Sequence, residues 1–202
     1  MRKLMWFTLG FAVAAAVGSY ALAGQLQLHA VEWYLLAAGV CLILLGICLL
    51  CMLRLTKARI AAMVCFGCVV GFCFQCGFDW IYLSVARAAD EMTLDVSIFA
   101  SDYAYETDYG CAVEGKVKIN GRNYRVVAYL PEDTQMAPGD WVNGSFTLKS
   151  TLPGGSKESA YDRGKGVFLK AYPKGDMTVL TPEQMPLGAY PAVIRNYVGN
   201  MI

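Results

Sequence analysis

The chain has 202 residues, 56% of them hydrophobic, with 8 cysteines, a single histidine and a formal net charge of +1. A charge so near balance excludes a globally basic nucleic-acid binder. Apolar residues crowd the first 86 positions and most charged residues follow position 87, as in a membrane half joined to a soluble half with the boundary near Arg87 to Glu91.

The first 88 residues predict about three transmembrane helices, near 4–23, 31–53 and 60–85. Each run meets the criterion of roughly 20 mostly apolar residues that cross a ~30 Å hydrocarbon core at ~1.5 Å rise per residue. Arg2, Lys3 and the "ALA" at 21–23 also fit a cleaved signal peptide. The first apolar run is nonetheless longer than a signal h-region of about 7 to 15 residues, which favours a retained helix. Orientation is the same either way. Arg2 and Lys3 precede the first helix, and Arg54, Lys57 and Arg59 fill the turn between the second and third, whereas the loop 24–30 has no basic residue. The positive-inside tendency then predicts a multi-pass protein of the cell membrane with a cytoplasmic N-terminus and everything after about Arg87 outside.

Within the third helix, "MVCFGCVVGFCFQC" places Cys65, Cys68, Cys73 and Cys76 in two C-x-x-C pairs. Residues 65 and 76 lie about 16 Å apart along a helix axis, too far for sulfurs that must each approach one zinc ion to about 2.3 Å. The expected role of these cysteines, and of Cys41, Cys48 and Cys51, is that of small packing groups. Gly39, Gly46, Gly67 and Gly71 suit close helix contact. Asp79, beside Trp80 and Tyr82, is expected near the outer interface, where polar residues and aromatic belts are ordinary.

Residues 90–182 change to short alternating runs bounded by Gly, Pro, Asn and Asp, which predicts an all-β domain. Strands are expected near 94–101, 109–119, 123–130, 141–149, 166–172 and 177–180. Asn120 and Gly121 predict a type I′ hairpin between the second and third. "SDYAYETDYG", with Asp102, Glu106 and Asp108, reads as a solvated loop, a short helix is expected over 157–163, and "PKGD" as a final hairpin turn. A small Greek-key barrel of the OB type suits this pattern, and a β-sandwich of similar length fits the same periodicity.

Because OB barrels often bind single-stranded nucleic acid through basic grooves and aromatic platforms, two basic groups are candidate contacts. One is Lys116, Lys118, Arg122 and Arg125 beside Tyr124. The other is Arg163, Lys165, Lys170 and Lys174 with Tyr161 and Tyr172. Against them, residues 90–182 carry 13 acids and 10 bases, a net of −3, and ordinary surface charge explains the same residues. No catalytic constellation is legible: His29 is the single histidine and has no neighbouring Asp or Cys, "PGGSK" lacks the spacing of a phosphate loop, and Cys111 has no partner cysteine in its domain. The expectation is a non-enzymatic module without cofactor or metal.

Membrane helices, an exported OB-like domain, "APGDWVNGSFTL" and then "YDRGKGVFLKAY" occur in the order seen in the N-terminal region of the ComEC competence proteins, which this chain resembles. The matching positions are Gly139, Asp140, Tyr161, Asp162, Gly166 and Val167, expected to be structural. The resemblance implies an exterior barrel that assists passage of single-stranded DNA into a membrane channel. The channel-forming competence domain would have to come from a partner or a further part of the polypeptide. Residues 183–202, with Ile194, Tyr197, Val198 and Met201 at helical spacing, are expected to begin an amphipathic helix leading to it. The competing expectation is an NfeD-like membrane-anchored scaffold without DNA contact, whose barrel would lie on the cytoplasmic side.

Overall fold

The computed structural model of the chain describes residues 2–20, 30–51, 56–107, 110–132 and 134–199. Residues 21–23, His29, Arg54, Asp108, Tyr109 and Met201 lie outside the described residues, as do the side chains of Arg2, Lys3, Cys51 and Lys57. The chain divides into two compact units, residues 1–84 and 85–202.

The first unit contains three helices, α1 (Arg2–Tyr20), α2 (Ala30–Cys51) and α3 (Thr56–Phe78). Helical backbone continues beyond α3 through a π-helical turn, Asp79–Leu83, into α4 (Ser84–Ala88). Two stretches, Val31–Leu50 and Ala58–Ala88, are long and apolar enough to cross a membrane, and the apolar run of α1 is shorter, Leu4–Gly18. Three spans were expected, and two reach the length.

Glycine determines how α1 meets α3. A methyl group added at Gly10 would lie 2.1 Å from the Val64 carbonyl oxygen, and one at Gly67 2.2 Å from that of Phe7. Gly67 and Gly71 are four residues apart, the small-x-x-x-small spacing that lets helix backbones touch. Cys68 Sγ donates to the Gly10 carbonyl at 3.3 Å and Gln75 Nε2 to that of Ala15 at 3.0 Å. Cys41 and Cys68 also pack against Ala14, Ala38 and Phe72, so these two thiols serve as contact groups between helices. Gly39 and Gly46, expected to act similarly, face nothing within 4 Å. Among the described residues no group of three or more His, Cys, Asp or Glu side chains could hold one ion. Asp79, expected near the interface, is only 4% exposed and opens the π-helical turn, where the Ser84 N–H bonds to its carbonyl.

The second unit is a closed five-stranded barrel. Its strands are β1 (Thr93–Ala100), β3 (Gly110–Ile119), β4 (Arg122–Leu130), β5 (Trp141–Ser150) and β6 (Val167–Leu180), and a short β2 (Tyr105–Thr107) edges β3. Around the barrel the order is β1-β5-β6-β4-β3 and back to β1. All contacts are antiparallel except β4 with β6. Alternation explains the closure: Ile98, Val113, Val117, Tyr124, Val126, Val142, Phe146, Leu148 and Leu169 are buried, while intervening residues face outward. Gly115 sits where β1 and β3 meet, and a Cβ there would lie 2.6 Å from the Phe99 carbonyl oxygen.

Asn120 (φ 48°) and Gly121 (φ 79°) form the expected turn between β3 and β4. Two expectations fail. "SDYAYETDYG" is not wholly a loop, because Tyr105–Thr107 pairs with Gly110–Ala112 as β2. "PKGD" is not a hairpin turn: Gly175 lacks the positive φ that such a turn favours, and β6 runs through as one strand. The extra residues are absorbed by a register shift opposite Gly144 and Phe146 of β5. The expected late helix forms as α5 (Ala160–Gly164), with Ser159 capping its first turn.

At its entrance the barrel is held by Asp90. The Asp90 carboxylate accepts from the Ser150 N–H at 2.6 Å, the Ser156 hydroxyl at 2.6 Å and the Ser156 N–H at 2.9 Å. Burial works to raise its pKa, but these donors outweigh burial and hold the carboxyl below the usual carboxylate range. At the other end of the unit, residues 187–189 form a 3₁₀ turn leading to α6 (Tyr190–Gly199). Arg195 of α6 pairs with Asp102, while Ile194, Tyr197 and Val198 are exposed.

Candidate nucleic-acid interface

The structure divides the sequence-selected cations between two outer faces of the barrel. On the first, around β3, β4, β6 and α5, nearly every cation is already matched by a carboxylate. Arg125 and Lys165 both approach Glu114, at 3.8 and 4.0 Å. Arg125 Nη1 also donates to the Lys165 carbonyl at 2.8 Å. Arg163 lies 3.9 Å from Glu158. Lys170 and Asp162 form a tight pair at 2.8 Å with both side chains largely buried. For both, burial opposes charge, yet the mutual hydrogen bond prevails and Asp162 titrates below, Lys170 above, its ordinary range. This face is therefore an ion-pair network about α5.

Tyr124, expected as a stacking group beside the hairpin, is 0% exposed and lies inside the barrel. It occupies an inward position of β4, where the hairpin register places every second side chain in the core. Arg122 sits at the hairpin turn opposite Ile119, away from the α5 network.

Lys116 and Lys118 point to a different groove. With Phe99, Trp141, Asn123, Ser97 and the carboxylate of Asp95 they line an open depression of about 560 Å³. Among the described residues neither lysine forms an ion pair. The Phe99 and Trp141 rings pack at 5.2 Å between centroids, tilted by 58°, and Trp141 is 40% exposed. Cross-strand register builds the groove: Phe99 lies opposite both Trp141 of β5 and Lys116 of β3. The exposed Trp141 ring, backed by the half-buried Phe99 and set beside two ammonium groups, suits flat, anionic ligands, by stacking and by phosphate attraction. Trp141 and Phe99 were not selected from the sequence; the signal was present in "GDWV", where the turn that starts β5 puts Trp141 on an outward position.

Around the barrel, Tyr129 and Tyr172 stack at 5.0 Å with planes 4° apart, and Lys149 Nζ sits 5.3 Å from the Tyr172 ring centre. The two tyrosines, with Lys157, Lys170 and Pro173, line a cleft of about 590 Å³. Burial and the neighbouring Tyr129 raise the Tyr172 pKa, so it remains a neutral phenol at pH 7. Lys165 Nζ lies 4.5 Å from the Tyr161 ring centre.

Of the positions singled out by the resemblance, most lie at turns or packing contacts. Gly139 has φ +104° and donates its N–H to the Ala100 carbonyl at 2.9 Å; a Cβ there would lie 3.0 Å from Pro186 Cδ. Asp140 is 5% exposed and its Oδ2 accepts from the Ala137 N–H at 2.7 Å, closing the turn before β5. Asp162 anchors Lys170, Gly166 has φ +76°, Val167 is buried, and Tyr161 is exposed on α5. Cys111 is buried, its thiol reaching the Thr134 carbonyl at 3.3 Å.

No family model, curated protein or solved structure matches the chain.

Proposed function

We propose that the chain is the N-terminal part of a ComEC-like DNA-uptake protein, in which an extracytoplasmic OB-type barrel assists passage of single-stranded DNA into a channel. The observation that carries this reading is the groove of Phe99 and Trp141 flanked by Lys116 and Lys118, the pairing of stacking faces with cations used to hold single strands. The barrel's closure supports it, because five strands in Greek-key order with one parallel contact are the arrangement expected of an OB barrel. Two membrane-length helices support a membrane anchor. Lys57 and Arg59 at the start of α3 support an exported barrel, and Arg2 and Lys3 at the start of α1 support a cytoplasmic N-terminus.

The NfeD-like scaffold is the second reading, favoured by the net charge of −3 over residues 90–182 and by the neutralised α5 face. Both are tested on the full chain in phosphatidylcholine nanodiscs, by titrating fluorescent oligothymidine at low and moderate salt. The transport reading expects binding at low salt that weakens with added salt and falls in Trp141→Ala. No binding at low salt would remove direct DNA contact and leave the scaffold.

A further inference from the structure

We infer that a single strand follows β5 from Trp141 to Lys149, so the ligand is an oligonucleotide of about four to eight nucleotides lying across the β1/β5 face, between two aromatic stations. The inference rests on the DNA-binding reading and assigns its path.

Between the stations the outward face of β5 is polar. Three rungs join it to β1: Asn143 with Ser97, Ser145 with Asp95, and Thr147 with Thr93. Trp141 and Phe99 close one end. At the other, Thr147 pairs with Tyr172 and Lys149 with Lys170 in register, which brings the Tyr129/Tyr172 stack beside the last rung. Cations mark the two ends of the route: Lys116 and Lys118 at the first station, and at the other Lys174, which reaches Thr93 Oγ1 of the last rung at 3.4 Å, and Lys149 over the Tyr172 ring.

The neighbouring β3/β4 face offers less, since Arg125 is matched by Glu114 and Tyr124 is inside. Trp141 and Lys149 are eight residues apart, about 26 Å along a strand at ~3.3 Å per residue. A stacked strand at ~3.4 Å per nucleotide covers this with about eight nucleotides. An unstacked strand, roughly twice as extended, needs about four, and both fall in the range of about 4–16 nucleotides held by OB barrels. Asp95 is the one carboxylate on the central rungs, so bases or sugars, not phosphates, pass over it.

The test is the affinity of oligothymidines of 2 to 12 nucleotides for the full chain in phosphatidylcholine nanodiscs. Affinity should climb steeply up to about four to eight nucleotides and level off beyond. Tyr172→Ala and Lys149→Met should each weaken a 12-mer about fivefold or more and leave a 2-mer unchanged, Tyr172→Phe should restore the 12-mer, and Asp95→Asn should tighten it. Four phosphate contacts should give a salt slope near −2.8, at about −0.7 per contact. Binding that depends on Trp141 but is indifferent to Tyr172, Lys149 and length overturns the path and leaves the functional reading standing. No binding at any length overturns both.

Discussion

Replacing Asp90 with asparagine isolates the contact that ties the start of β1 to the segment after β5. In the native chain both carboxylate oxygens receive donors, from Ser150 and from the amide and hydroxyl of Ser156. An asparagine side chain at this position keeps one acceptor oxygen but turns an NH₂ toward at least one of these donors. Charge-assisted bonds are each worth up to about 1.5–3 kcal/mol. The site is only half-buried, and water recovers much of that, so Asp90→Asn should cost about 1–2 kcal/mol at pH 7. For a barrel unit of this size that is a fall in Tm of roughly 3–10 °C.

The pH dependence has a definite sign. The folded-state pKa of Asp90 is depressed, so its stabilisation is complete above the unfolded value of about 3.9 and is lost as pH falls through the lower folded value. Thermal unfolding of native and variant chains in nanodiscs, followed by β-sheet circular dichroism, should show a gap at pH 7 that narrows below about pH 4. Equal Tm values at pH 7, or a gap that widens in acid, would refute the reasoning.

Three further substitutions probe other parts of the structure. Gly67→Val in α3 must push against the Phe7 backbone of α1 and should loosen that helix pair by about 1–3 kcal/mol, read as faster hydrogen exchange in α1, whereas Gly39→Val, with open space around it, should not. Gly139→Ala should cost about 1–3 kcal/mol, because φ +104° strains any side chain and Pro186 is in the way; an unchanged melting temperature would contradict that turn. A double-mutant cycle with Asp162→Asn and Lys170→Met should return a coupling of about 0.5–3 kcal/mol, and a cycle with no coupling would mean that the pair is incidental.

Much of the barrel was legible because its strands alternate and its turns use residues with a conformational reason to be there. "NG" predicted the β3/β4 hairpin through its two positive φ values, and Gly139 and Asp140 marked the turn into β5. The failures have equally physical causes. "PKGD" has the composition of a turn, yet β6 makes its way past it by a bulge against β5, a tertiary pairing that local composition does not encode. β2 is three residues long and exists through its pairing with β3. Tyr124 was misplaced because a basic neighbourhood in sequence says nothing of which side of a strand a ring takes; the parity of β4 decides that. The same parity explains why Lys116 and Lys118 meet Phe99 and Trp141, residues distant in sequence. In the helices, four apolar glycines looked alike, and only partner geometry separates Gly67 and Gly71, which face α1, from Gly39 and Gly46, which face nothing within 4 Å.

The central claim, that this membrane-anchored barrel holds single-stranded DNA on its Phe99/Trp141 groove, is met most directly by photo-crosslinking. A bromodeoxyuridine oligonucleotide is irradiated with the full chain in nanodiscs and the adducts are mapped by mass spectrometry. Adducts are expected at Trp141 and on the β1/β5 face, competed by unlabelled single strand and poorly by duplex. Absence of adducts on the barrel, or adducts confined to the α5 ion-pair face, would contradict the claim.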